Sequence, residues 1–271
     1  MARADSLLRH LDRELGRFSE AGQLHRLNTD HGIPVETELG RLILLSDSLV
    51  TATSGWFDPT MGIVSLVWGF PEADSLPDSQ AIEEAMKYTH WGRMVIIQGD
   101  FIFTEPGAYL DFGAIAKGWA VDRTYLMLRE MGAVECLVEV GGEIRCGSST
   151  GRIWNLGVRH PRQEELMGIL SVTEGAVATS GDYECYFMDN GIRYSHLLDR
   201  NTGYPSGYAA GATVVAGDCA TADAMATAAA VAGPESAGEF SRDFYTCMII
   251  VTETPEGVCE VHEFGEIPWG R

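Results

Sequence analysis

Several things are scarce in these 271 residues. No apolar run is long enough to span a bilayer, and the opening stretch "MARADSLLRHLDRELGRF" carries charge throughout where a signal core would be apolar. As written, the chain is therefore expected to be cytoplasmic. Cysteines are few and far apart (Cys136, Cys146, Cys185, Cys219, Cys247 and Cys259). With no CxxC pair, the usual zinc spacings are excluded, and scattered thiols suit a reducing compartment, where they act as small core residues. Basic residues are outnumbered, 19 Lys and Arg against 39 Asp and Glu, for a formal net charge of −20. Such a body repels nucleic acid and anionic membrane, so neither is an expected partner. It would also repel a polyanionic small molecule unless a local cation corrects the field. Repeats, low-complexity linkers and shifts of composition are likewise missing.

What is present is a hydrophobic content of 45%, enough for a sizeable core in a chain of this length. Leu7, Leu8, Leu11, Leu15 and Phe18 recur at helical spacing and predict an opening amphipathic helix. A second helical pattern runs from about Glu38 to Thr53 and stops at Gly55; "AIEEAMKY" predicts a short third helix. "RMVIIQGDFIFTE" reads as a hairpin turning at Gly99-Asp100, and "AIAKGWAVDRTYLMLREMG" as a helix closed by Gly132. "VECLVEV" reads as a buried strand, followed by alternating short strands and turns. "CATADAMATAAAVAGP" reads as a tightly packed helix stopping at Gly233-Pro234, and "YTCMIIVTE" as a last core strand. The sum is one compact α+β unit over 1–271, with mostly antiparallel sheet and packed helices.

Four stretches carry residue types with chemistry. Asp223 stands in the small-residue helix, where an ionised carboxylate is costly unless paired or bound to metal. Thr227 is four residues on, hence on the same face, and a carboxylate and hydroxyl so placed can ligate a hard cation such as Mg²⁺. The competing reading is a capping aspartate with a threonine bonded to its own helix. In "LDFGAIAKGWAVDR", Gly113 and Gly118 allow close approach of backbone to a ligand, and Lys117 adds a point charge near a helix N-terminus. Against that stands a solvent-facing lysine. In "ATSGDYECYFMDNGIRYSHLLDRNTGYP", Thr179, Ser180 and Gly181 offer hydroxyls and amides. There His196, three before Asp199, is either a general base or a structural histidine tied to a turn carbonyl. The aromatic "SGWFDPTMGIVSLVWGF" either lines a flat-ring pocket or packs as a hydrophobic turn.

In this order, "FDPTMG…LVWGF", "DFGAIAKGWAVD", "VGGEI", "ATSGDYE", "SHLLD-NTGYP" and "DAMAT" resemble the ApbE family of flavin transferases, over about Phe18 to Val251. The resemblance implies an ApbE-like, T-fold-like unit that uses Mg²⁺ and takes FAD as substrate. Such enzymes move FMN onto a threonine hydroxyl of an acceptor protein and release AMP. It implies Asp223, Thr227 and the carbonyl of Ala114 as metal ligands. Lys117 would touch the phosphates; Asp111, the Trp56-Phe57-Asp58 segment and the backbone near Leu197 would contact FAD. His196 would deprotonate the target threonine, and Thr179 with its neighbours would shape the cleft. The chain departs from the family in lacking an initial Met-Gly-Thr strand and in a short loop, "SEAGQLHRLN", without the usual aromatic residue. It also carries Ser195-His196 for a His-His pair and Asp199-Arg200 for Asp-Pro. Two further activities use the same residues: an FAD pyrophosphatase yielding FMN and AMP, and a non-catalytic FAD-binding module. Family members are often exported lipoproteins, which implies a periplasmic or membrane-anchored protein if a leader has been trimmed.

Overall fold

A computed structural model describes residues 2–243 and 246–270. The fold is α+β, and all strand pairing among the described residues is antiparallel. The chain divides into two compact units, 1–116 with 184–206, and 117–183 with 207–271. No described helix is long and apolar enough to cross a membrane.

In the first unit, α1 (Ala2–Leu15) turns Leu11 and Leu15 inward. It stops short of Phe18, which is 73% exposed with the Arg17 guanidinium 4.8 Å from its ring centroid. The predicted helix was thus one turn too long. The short α2 (Gln23–Asp30) buries only Leu24 and Leu27, too few apolar positions to show in the sequence. Helix α3 (Glu38–Ala52) lies where the periodicity puts it: Thr37 Oγ1 accepts the Gly40 N–H at 3.0 Å, and Leu39, Leu42, Ile43 and Leu49 are fully buried. A 3-10 turn (Pro59–Met61) leads into α4 (Gly62–Trp68), followed by α5 (Ser79–Met86) and α6 (Trp91–Met94). Strands β1 (Gly32–Pro34), β2 (Val95–Gln98) and β3 (Phe101–Thr104) form a sheet in the order β1-β3-β2, with the expected hairpin between β2 and β3.

The chain returns to this unit as a hairpin, β9 (Tyr186–Asp189) and β10 (Ile192–Ser195); β4–β8 and β11–β13 belong to the other unit. The hairpin completes an aromatic core. Phe187 and Tyr194 stack with centroids 5.3 Å apart, and Trp68 lies 6.0 Å from Phe70. Trp68 Nε1 donates to the Gly203 carbonyl at 2.8 Å. The aromatic stretch that suggested a flat-ring pocket is therefore mostly helix and core.

The second unit is built on a six-stranded sheet in the order β13-β12-β11-β8-β5-β4. Its strands are β4 (Glu135–Val140), β5 (Glu143–Ser148), β8 (Gly175–Gly181), β11 (Gly211–Ala216), β12 (Cys247–Glu253) and β13 (Cys259–Phe264). A separate pair is formed by β6 (Trp154–Arg159) and β7 (Leu166–Val172). "VECLVEV" becomes an edge strand buried on one face only, with Cys136 and Val138 inside and Leu137 exposed. Strand β12 is buried on both faces as predicted but is followed by β13; Tyr245, at the head of that predicted run, lies outside the described residues.

Two helices, α7 (Ala116–Glu130) and α8 (Cys219–Asp243), close each other's N-termini. Asp122 on α7 accepts Cys219 N–H at 2.9 Å and Ala220 N–H at 2.9 Å, while Asp218 accepts Thr221 N–H at 2.8 Å. Asp223 on α8 accepts Gly118 N–H of the first turn of α7 at 2.9 Å. Carboxylates are well placed at helix N-termini, where unpaired N–H groups and the helix dipole favour negative charge. Burial pushes the Asp122 carboxyl above its ordinary range, while these N–H groups and Arg145, at 2.6 Å, pull it back. The crossing needs glycine at position 118, where a Cβ would stand 2.3 Å from the Cys219 carbonyl oxygen. Along α8, Ala220, Ala222, Ala224, Ala226, Ala228 and Ala229 are fully buried, small enough for backbone to pack closely. The helix breaks at Gly233 (φ 75°, ψ 174°), the predicted stop, and resumes at Pro234.

Gly118→Ala is expected to destabilise the protein by about 2 kcal/mol or more through overpacking against backbone, read as a lower midpoint in urea unfolding. An unchanged midpoint would contradict the tight crossing. Burial pushes the Cys146 thiol up to about 11 and the Cys219 thiol higher still. At pH 8 both stay protonated, so native-state iodoacetamide labelling is expected to reach the half-buried Cys185, Cys247 and Cys259 and to spare Cys146 and Cys219. Peptide mass spectrometry showing early label on Cys146 would overturn this packing.

Candidate functional site

In the second unit, three of the predicted residues come together around the start of α7. The carboxylate of Asp223 is 2% exposed; one oxygen takes the Gly118 N–H and the other lies 3.9 Å from Lys117 Nζ. Thr227, one turn along α8, shares a hydrogen bond of 2.9 Å with Ser180 Oγ. The alternative of a threonine bonded to its own helix is not what this contact shows. Thr179 is a different matter. Successive strand residues face opposite ways, and its hydroxyl pairs with Thr213 across β8 and β11 at 2.9 Å. Ser180, not Thr179, is the β8 hydroxyl beside Thr227.

A fourth residue of this cluster escaped the sequence reading. Glu143 opens β5 after a two-residue turn, Gly141-Gly142, with φ of 65° and 102°. Both left-handed positions suit a tight hairpin of this kind. Glu143 is 1% exposed, its Oε1 accepts a hydrogen bond from Lys117 Nζ, and its buried Oε2 accepts none. Burial pushes the carboxyl above its usual range, and Lys117 draws it down. The signal available was "VGGEI", an acidic residue directly behind a glycine turn. Lys117, far from being a solvent-facing lysine, is committed to two buried carboxylates.

The donor types here suit a hard cation: a buried carboxylate and a hydroxyl one turn apart. Among the described residues no three His, Cys, Asp or Glu side chains form a metal-holding cluster. Ala114 stands in the turn that precedes α7, three residues before Lys117.

In the first unit, the predicted residues are held by main-chain contacts. His196 Nδ1 is 3.1 Å from the Cys185 carbonyl oxygen. A carbonyl only accepts, so Nδ1 carries the proton of this hydrogen bond. The ring lies edge-on to Phe70 with centroids 6.5 Å apart. Asp199, expected beside the histidine, instead builds the following turn, accepting Asn201 N–H at 2.7 Å. The Cys185 carbonyl is the partner that holds Nδ1. Arg200 donates to the Ser54 carbonyl and packs on Gly55, bracing the turn before Trp56. Leu197 is buried, and its carbonyl accepts Ser206 N–H at 2.7 Å.

Trp56 is half-buried, whereas Phe57 is only 2% exposed and packs its ring into the core. Both Asp58 oxygens serve the local fold, accepting Thr60 N–H at 2.9 Å and Trp91 N–H at 3.2 Å. Asp111 pairs with Arg17 at 2.6 Å and accepts Gly113 N–H at 2.9 Å. Arg17, which no pattern had marked, also donates to Ser65 at 3.2 Å and to the Phe70 carbonyl.

A family model described as the ApbE family matches residues 1–249. An FAD:protein FMN transferase of Vibrio cholerae is 30% identical over 267 residues, covering 94% of this chain and 80% of that protein. One from Haemophilus influenzae is 27% identical over 270 residues, covering 93% and 78%. Among solved structures, the ApbE protein of Thermotoga maritima matches with a TM-score of 0.86 and 31% identity, covering 96% of this chain and 88% of that one. The flavin transferase ApbE of Vibrio cholerae matches with a TM-score of 0.86 and 28% identity, covering 97% and 87%.

Arg17 and Asp111 have side chains 15% and 16% exposed, so removing one partner strands a largely buried charge. Arg17→Met is expected to cost about 3 kcal/mol, with part of it recovered in the double variant with Asp111→Asn. Additive losses in urea unfolding would show that the pair is not coupled.

Proposed function

This chain belongs to the ApbE family, and we propose on that footing that it is a Mg²⁺-dependent FAD:protein FMN transferase working as one domain. The threonine hydroxyl of an acceptor protein attacks the phosphorus of the FMN half of FAD. The new P–O bond forms as the bond to AMP breaks, and AMP leaves. The observation that carries this reading is the buried Asp223 carboxylate, with Thr227 one turn on and Lys117 at 3.9 Å, on a chain otherwise too acidic to hold a diphosphate.

Each residue has a task that follows from its setting. Nε2 of His196 takes the threonine proton, because Nδ1–H donates to the Cys185 carbonyl. Lys117 offers its ammonium to the diphosphate. Asp223, Thr227 and the carbonyl of Ala114 would hold Mg²⁺, which when bound neutralises phosphate charge in the transfer step. Asp111, Trp56, Asp58 and the main chain at Phe57 and Leu197 would line the FAD site. Ser180, beside Thr227, would shape the cleft.

Purified protein with FAD, Mg²⁺ and a threonine-bearing acceptor domain of the family's kind is expected to yield an FMN adduct on the acceptor and free AMP. Both should be abolished by EDTA and are read by intact mass spectrometry and chromatography. AMP without adduct would replace the transferase with a pyrophosphatase; neither product would overturn both. His196→Ala should keep FAD affinity and lose about 10²–10⁴-fold in transfer rate. Asp223→Ala should lose Mg²⁺ binding and, through the Gly118 N–H, about 1 kcal/mol of stability.

A further inference from the structure

Lys117 stands between two buried carboxylates. Its ammonium donates to Glu143 Oε1 and lies 3.9 Å from Asp223 Oδ1; the two acids are 1% and 2% exposed, whereas the lysine side chain is 41% exposed. The acids are fixed, Glu143 by the start of β5 and Asp223 by the Gly118 N–H. The lysine has a long stem and open space on one side, so it is the member that can move. Asp223 is buried, and the Lys117 ammonium is the cation beside it.

We infer that Lys117 is the built-in counter-ion of Asp223: Glu143 holds its ammonium beside that carboxylate, and a divalent cation reaching Asp223 must displace it. This rests on the reading of Asp223 as a metal ligand and goes beyond it. Like charges a few ångströms apart repel strongly in a partly buried site. The displaced ammonium is then available to an incoming diphosphate. Metal and diphosphate binding thereby strengthen each other, equally in both directions. Glu143 is a positioning residue, acting only through Lys117.

The test is Mg²⁺ titration by calorimetry into protein without FAD or acceptor. Lys117→Met is expected to bind Mg²⁺ about tenfold more tightly than wild type, although it weakens binding of ADP as a diphosphate probe. Glu143→Gln, which frees the ammonium to settle on Asp223, is expected to bind Mg²⁺ several-fold more weakly. The double variant should bind as tightly as Lys117→Met alone, because Glu143 has no lysine to act through. Unchanged or weaker Mg²⁺ binding in Lys117→Met would overturn the inference. So would a double variant back at the wild-type value, the sum expected if the two charges act independently. If Lys117→Met fails to fold, the charge-balanced double variant compared with Glu143→Gln reads the same difference. Asp223→Ala in the Lys117→Met background should abolish the gain. A gain that survives would overturn Asp223 as the ligand, and Mg²⁺ binding absent from every variant would overturn the metal reading with the inference.

Discussion

Asp122 of α7 receives the first N–H groups of α8, and Asp223 of α8 receives an N–H in the first turn of α7. This exchange fixes the two helices in register, over the one position, Gly118, where no side chain fits. Unpaired N–H groups at a buried helix start are costly, and here each helix removes the other's. Much else in the second unit depends on it. With α8 held at that register, Thr227 meets Ser180 one turn beyond Asp223. With α7 held, Lys117 lies against Glu143 at the opening of β5. One pair of carboxylates thus serves the fold, and one of the two is also the residue best suited to bind a cation.

The charges of this cluster explain how an acidic protein handles an anionic ligand. A net charge of −20 sets a field that repels phosphate. Local positive charge has to be concentrated where the ligand binds. In the reading proposed above, Lys117 supplies that charge and a divalent ion at Asp223 would complete the arrangement. The orphaned oxygen of Glu143 marks the same imbalance. A carboxylate left with a single hydrogen bond in the interior is costly, and such groups gather at functional sites.

The first unit uses a different economy. Its aromatic core, Trp68, Phe70, Phe187 and Tyr194, is rigid and backs the hairpin that ends at Ser195. His196 follows that hairpin and is tied twice to Cys185, by its own N–H and by its ring. A main-chain carbonyl as orienting partner fixes the tautomer without adding negative charge. Arg200, where the family pattern has proline, braces the neighbouring turn through Ser54 and Gly55.

The sequence by itself determined the α+β class, helices α3, α5 and α7, the β2–β3 hairpin and the break at Gly233. These are local matters of apolar period, caps and turn residues, readable within a window of ten or so positions. It also marked Asp223 and Thr227 amid small apolar residues, Lys117 between two glycines, and His196 three positions before an aspartate. Other features came only with the tertiary structure. Phe18 shares the helical spacing but not the helix, and "VECLVEV" is an edge strand because, among the described residues, only β5 pairs with it. Thr179 and Ser180 are equivalent on paper until strand alternation assigns their hydroxyls to opposite faces. Asp199 looks like the histidine's partner and instead builds the following turn. Glu143 and Arg17 become visible only through partners 26 and 94 positions away, Lys117 and Asp111. Pairings at such separations leave no period in the sequence, because the packing of sheets and helices creates them.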